Sequence, residues 1–206
     1  MMRVTAIEYV SRHKMRVSLD GEPAFILTDK KLEEWQLHEG DDLDDERSDA
    51  LLTFAGREAA RAAMDMLIRR DYSEAELYSK LKQKGFNDRT AGQGMDYVHS
   101  YHYLDDERYA GQLVAGKKGT VSRKMMTYLL RQKGVDDTVI QRVIDEAEWN
   151  DEDGIRFELD KKCHSSGELF ELSEKDRQKM IQSLMRKGYN YSDIHHIMRN
   201  FVDVDM

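Results

Sequence analysis

The sequence predicts a mainly α-helical protein of 206 residues: three tandem three-helix repeats in an elongated, curved array, preceded by a small N-terminal β-hairpin or three-stranded sheet. Three observations predict it. A short signature, leucine followed three residues later by lysine and glycine and then by an apolar or aromatic residue, recurs three times. Proline is nearly absent, Pro23 being the only one, so helices after it run uninterrupted. The residues before Asp29 instead alternate as short strands.

The β part comes first. Val4–Val10, Met15–Leu19 and Ala24–Leu27 are short and β-rich, and Asp20-Gly21-Glu22-Pro23 separates the last two as a turn. Asp29–Leu37 follows as a short helix ending near Gly40. The acidic run Asp41, Asp42, Asp44, Asp45 and Glu46 reads as a solvated connector or helix start, because it lacks the alternate-position oxygens and turn glycine of a calcium loop. Helical periodicity begins at Arg57, with Ala59, Ala60, Ala62, Ala63, Met64, Leu67 and Ile68 on an alanine-rich amphipathic helix. Ser73 and Glu76 then stand at capping-box spacing and open a second helix that ends at Gly85.

That second helix is the repeated element. Leu81, Gly85 and Phe86 recur as Leu130, Gly134 and Val135 and again as Leu184, Gly188 and Tyr189, the glycines 49 and 54 residues apart. Leu77, Met126 and Met180 are equivalent one turn earlier. Ile140, Val143 and Ile144 match Ile194, Ile197 and Met198 as a third helix. Each glycine stands at a helix C′ position, where a positive φ is wanted, and the next residue drops into the core. The first copy departs in its third helix, where Gly92 and Gly94 imply a helix that is short, frayed or closely packed against another backbone. Four segments result: 1–50, a β extension with a short helix and acidic connector, then repeats at 51–103, 104–150 and 151–206.

Charge singles out the middle repeat. The formal net charge is -8, yet between Arg108 and Val135 no Asp or Glu occurs, while Arg108, Lys117, Lys118, Arg123, Lys124, Arg131 and Lys133 all do. Arg123, Thr127 and Arg131 align on one helix face, with Met126 and Leu130 inward; Lys117 and Lys118 precede that helix between Gly116 and Gly119. Two readings stand, a solvated face or a surface for an anionic partner.

Catalytic and metal chemistry find no foothold. Asp105 and Asp106 are neighbours that point apart on a helix and fit N-capping near Arg108 better than a shared-proton dyad. His99 and His102 lie one turn apart but among Tyr97, Tyr101 and Tyr103, with no cysteine near. Cys163-His164 and His195-His196 are adjacent and cannot converge on one ion from a helix. No phosphate loop, nucleophile elbow or dinucleotide fingerprint is present, so the expectation is a non-enzyme without cofactor or metal. The single cysteine excludes an intramolecular disulfide and fits a reducing compartment. No apolar run is long enough to span a bilayer and the first residues lack a signal-peptide core, so a cytoplasmic protein is expected.

The repeated signatures, together with the junction Tyr103-Leu104-Asp105-Asp106-Glu107-Arg108-Tyr109-Ala110, resemble the bacterial RecX family over Ala59–Phe201. The N-terminal strands resemble an extension found in some members. In the central repeat the resemblance is carried by Asp105, Asp106, Arg108, Tyr109, Lys117 or Lys118, Gly119 and Lys133-Gly134. The sequence departs from the family pattern at Lys124, where an isoleucine is common, and in the irregular stretch between Lys162 and Asp176. The resemblance implies a cytoplasmic, monomeric regulator acting in DNA repair, homologous recombination and the SOS response. It would bind RecA, limiting its filament on single-stranded DNA, with at most weak direct binding of DNA. A helical nucleic-acid-binding module independent of RecA is the alternative.

Overall fold

The computed structural model describes residues 1–163, 169 and 171–201. Its described residues divide into two compact units, Met1–Asp105 and Asp106 onward.

The first unit opens with strands β1 (Met2–Ser11), β2 (Lys14–Leu19) and β3 (Glu22–Thr28), helix α1 (Asp29–Trp35) and a short strand β4 (Asp42–Leu43). The sheet is antiparallel in the order β3-β2-β1-β4, so it has one strand more than the expected three. The added strand lies inside the acidic run: Asp42 and Leu43 pair with Arg3 and Met2, and Leu43 is fully buried. Asp20 and Gly21 both take positive φ, 50° and 88°, which makes the β2–β3 connection a two-residue turn whose twist matches the strands. Helix α1 stops at Trp35 rather than Leu37 because Gln36 turns left-handed at φ 49°.

Helix α2 (Asp45–Leu67) begins twelve residues before Arg57, where periodicity first shows, and crosses the expected boundary between residues 50 and 51. The physical reason is in the acids. The Asp44 carboxylate accepts from Arg47 N at 2.8 Å, and Asp45 and Glu46 sit in the first turn, at the positive end of the helix dipole. The acidic run is thus strand, cap and helix start in succession. Helices α3 (Glu74–Gln83) and α4 (Asp88–Ser100) complete the first three-helix module. Of the alternatives for α4, close packing is what occurs: a Cβ on Gly94 would stand 2.9 Å from Ala59 Cβ and 3.0 Å from its carbonyl carbon. One continuous core joins sheet and module, with Val4, Val17 and Phe25 packed together with Leu51, Leu77 and Leu81. The N-terminal extension is therefore part of the first module's body.

The second unit holds two modules. The first comprises α5 (Asp106–Lys117), α6 (Arg123–Gln132) and α7 (Asp137–Glu146); the second comprises α8 (Asp151–Asp160), α9 (Glu174–Arg186) and α10 (Tyr191–Arg199). Met126, Leu130, Ile140 and Ile144 form the core of one, and Ile155, Leu159, Leu184, Ile194 and Ile197 that of the other. The irregular stretch after Lys162 lies partly outside the described residues, as do His164 and the last five residues.

The three signature turns share one geometry. Gly85, Gly134 and Gly188 have φ of 93°, 73° and 96°. In each, the residue after glycine donates its N–H to the leucine carbonyl: Phe86 to Leu81, Val135 to Leu130 and Tyr189 to Leu184, at 3.2, 3.2 and 3.3 Å. Glycine itself donates to Lys82, Arg131 or Met185, completing a Schellman motif that satisfies carbonyls the helix end leaves open. The following side chain is buried every time. Each signature helix also starts on a serine: Ser73, Ser122 and Ser173 accept from the amides of Glu76, Met125 and Asp176.

Gly188→Ala is expected to destabilise the protein by roughly 2 kcal/mol or more, since a left-handed Cβ is strained and this one would lie 2.6 Å from Ser122 Oγ. Urea unfolding followed by circular dichroism measures it. Tyr189 gives the opposite case: its hydroxyl is buried with no hydrogen-bond partner among the described residues, and burial followed by the nearby Glu158 and Asp151 charges raises its pKa. Because the folded phenol holds its proton where the unfolded one releases it, stability falls as pH rises above the ordinary phenol range. Tyr189→Phe should be neutral to about 1 kcal/mol stabilising at pH 7 and should flatten that alkaline loss.

Candidate interaction site

The seven cations between Arg108 and Val135 occupy four places in the second unit: the start and end of α5, the outer face of α6 and its C-terminal cap. Arg108 lies in the first turn of α5 and is exposed. Lys117 is the last residue of α5 rather than part of a free loop, and Lys118 continues the turn by donating its N–H to Val114 O. Gly119, at φ 72°, then reverses the chain toward α6. Lys118 Nζ donates to Ala147 O at 2.5 Å, which ties this corner to the end of α7. Lys133 caps α6 through backbone bonds to Leu129 and Leu130.

Arg123, Lys124 and Arg131 share the outer face of α6 with Thr127 and Tyr128, while Met126 and Leu130 on the opposite face are fully buried. This amphipathic split follows from helical spacing alone. These five outer residues form one wall of a cleft of about 450 Å³. Asp151, Gly188 and Asn190 of the third module form the other. Three contacts hold the walls in place: Ser122 Oγ donates to Lys187 O at 2.7 Å, and Arg123 N and the Trp149 indole both donate to Asp151 Oδ1, at 2.7 and 3.1 Å. Beside them Lys187 pairs with Glu158, whose carboxylate is buried.

Space supplies acids that the linear sequence keeps away. Arg123 reaches Asp145 at 2.5 Å, and Arg131 forks onto Asp137 at 2.7 and 3.2 Å, both carboxylates belonging to α7. The hydrogen bonds that Arg131 donates to Asp137, then that residue's negative charge, raise the Arg131 pKa still further, so this guanidinium remains charged. All four side chains are largely exposed, and pairs of this kind add little net stability and are easily exchanged. Lys117 and Lys124 have no carboxylate within ion-pair distance among the described residues. What the cleft offers is a cationic face with an exposed aromatic at its centre, Tyr128 being 54% exposed, and the flexible Met125 beside it.

Spacing could not disclose Tyr128, Asp151 and Asn190 as neighbours. Tyr128 was one exposed aromatic among ten tyrosines, and the other two come from the next repeat. The pairing acids are visible only once α7 folds back on α6. Among the described residues no group of three or more His, Cys, Asp or Glu side chains is placed to hold a metal ion. His99 stands 3.6 Å from Glu74, and Tyr97, Tyr101 and Tyr103 form an exposed cluster in which Tyr101 is tilted against Tyr97 at 5.0 Å and stacked on Tyr103 at 5.8 Å, a surface feature of the first unit. No helix among the described residues is long and apolar enough to cross a membrane.

Comparison with known proteins agrees with the repeat geometry. The chain matches the first, second and third three-helix domains of RecX over residues 59–96, 105–144 and 150–198. It is 25% identical over 213 residues to the regulatory protein RecX of Clostridium botulinum (strain Eklund 17B / Type B), covering 100% of this chain and 99% of that one. With the regulatory protein RecX of Caldanaerobacter subterraneus subsp. tengcongensis it shares 27% over 198 residues, covering 94% and 96%. A crystal structure of regulatory protein RecX superposes with a TM-score of 0.61 at 20% identity, covering 97% of this chain and 100% of that one. A second, of RecX from Lactobacillus salivarius, gives 0.58 at 18% over 72% and 97%. These two likenesses are of fold. With all three domain models of one family matched in order across more than half its length, the chain belongs to the RecX family.

Proposed function

We propose that this protein is a non-enzymatic, cytoplasmic, monomeric regulator that binds RecA and limits filament assembly, ATP hydrolysis and strand exchange on single-stranded DNA. The outer face of α6 and the adjoining end of α5 make the contact. Membership of a family of regulatory proteins supports the class of activity. The observation that carries the site is the grouping of Arg123, Lys124, Arg131 and Tyr128 on one exposed helix face. Arginine and tyrosine are the side chains that anchor protein interfaces most often, and an acidic patch on a filament would complement the lysines. Arg108, Lys117, Lys118 and Lys133 would add to the local positive field.

A second reading has its own support. Tyr128 between cations could stack a nucleobase while Lys124 and Arg131 meet phosphates, which would make the face a single-strand site independent of RecA. Salt separates the two, because each phosphate neutralised releases counterions and steepens the salt dependence.

The test is RecA's DNA-dependent ATP hydrolysis with stoichiometric amounts of this protein, where inhibition is expected and an unchanged rate would overturn the assignment. Combined reversal of Lys117 and Lys124 to Glu should weaken inhibition about tenfold, since the half-exposed Lys117 and the exposed Lys124 would then set negative charge against the same partner surface. Asp137→Asn with Asp145→Asn should do the reverse. Freed from their internal partners, Arg123 and Arg131 should move elution from a heparin column to higher salt, while the urea midpoint stays nearly constant.

A further inference from the structure

The first unit contains a larger cleft, of about 630 Å³, that the central cations do not touch. Its floor is Ile26 and Leu27 of β3, with Phe86 of the first signature turn. One wall is the tip of the β1–β2 hairpin, from Val10 to Lys14; the other is the α2 face bearing Glu58, Arg61, Ala62 and Asp65.

This cleft is built into the fold. A Cβ on Gly85 would lie 2.5 Å from Ile26 Cδ1, so the bare glycine lets β3 seat directly on the signature turn. Asn87 N and Thr90 Oγ1 both donate to Ala24 O, at 2.9 and 3.3 Å, and lock the strand onto the start of α4. The floor is therefore fixed before any ligand arrives, which lowers the ordering cost of binding.

Its chemistry is one-sided. Lys14, Lys31, Arg61 and Lys84 ring it, against Glu58 and Asp65. Lys31 is held by Glu34 at 2.6 Å, but Lys14, Arg61 and Lys84 have no carboxylate within 4 Å among the described residues. In a chain of net charge -8, the four cations of the lining outnumber its two carboxylates and leave a local excess of positive charge beside an apolar floor. Val10, at 40% exposed, leaves an apolar side chain facing solvent at the hairpin tip. We propose that this cleft is a second docking site, for a short acidic segment of another protein that buries one or two apolar side chains between Ile26 and Val10 while its carboxylates meet Lys14, Arg61 and Lys84.

The same observations disfavour a nucleic-acid strand. A strand with a phosphate at every nucleotide cannot keep charge away from Glu58 and Asp65, whereas a peptide can place its backbone amides there as donors and its carboxylates at the cations; the one aromatic ring in the lining, Phe86, is buried and offers no face for stacking. The site is independent of the α6 face and stands whether or not that face contacts RecA.

The experiment is fluorescence anisotropy on the full chain with a fluorescein-labelled peptide of alternating aspartate and leucine, about eight residues long, an extended length suited to the cleft. Saturable binding below about 1 mM is expected. It should fall at least about tenfold in the triple variant Lys14→Glu, Arg61→Glu, Lys84→Glu and be unchanged in Lys175→Glu. A peptide with lysine for aspartate should not bind. Circular dichroism of the triple variant confirms that its fold is retained, and the milder Lys14→Ala with Lys84→Ala provides the same readout if it is not. No saturable binding by the aspartate peptide, or binding indifferent to both sets of substitutions, overturns the proposal. So does an oligothymidylate that binds more tightly than the peptide and with the same sensitivity to the variants, which would assign the cleft to nucleic acid.

Discussion

The closing turn of each second helix is the constraint on which the rest of the structure depends. A helix end leaves carbonyls without donors, and here the deficit is met the same way three times, by a left-handed glycine and a bond from the next residue back to a leucine. That leucine is buried in every copy, as is the residue after glycine. One local hydrogen-bond requirement thus sends the chain back across its own helix and drives an apolar side chain into the core. The three modules follow from repeating it.

The turn does more than end a helix. With no side chain on glycine, another element can approach the backbone: β3 comes against Gly85 in the first unit, and Ser122 against Gly188 in the second. Ser122 caps α6 and also donates to the carbonyl just before Gly188, so the start of one helix is tied to the end of another. The cleft beside α6 exists because of that tie. In the first unit the equivalent turn receives the N-terminal sheet, and a single core closes over both. A strand extension that would be marginal alone gains its stability from that shared burial.

Charge shows where linear and spatial order part. The stretch from Arg108 to Val135 has no acid in sequence, but α7 lies against α6 and brings Asp137 and Asp145 to Arg131 and Arg123. The face remains cationic through Lys117 and Lys124, yet two of its arginines are already engaged. Because those pairs are exposed, water screens them, and an incoming carboxylate or phosphate can take their place. The face is better described as a set of exchangeable ion pairs than as bare positive charge.

The sequence by itself determined the helical class, the three-fold repeat, the inward residues and the turn glycines, because each follows from a local rule: helical period, capping chemistry and the φ that glycine tolerates. It placed Met126 and Leu130 inside and Arg123 and Arg131 outside without error. Only the tertiary structure decided that Asp42 and Leu43 form a strand, that α2 starts at Asp45, that Gly94 marks close approach to Ala59, and which acids meet the arginines. The strand, the close approach and the Arg123–Asp145 pair each join residues far apart in the chain, whereas the α2 start rests on the local Asp44 cap. Leu43 becomes a strand residue because Met2 is there to pair with it, and Asp145 becomes a partner because α7 packs beside α6. Local spacing carries no record of which segments will be neighbours; burial of the shared core selects them.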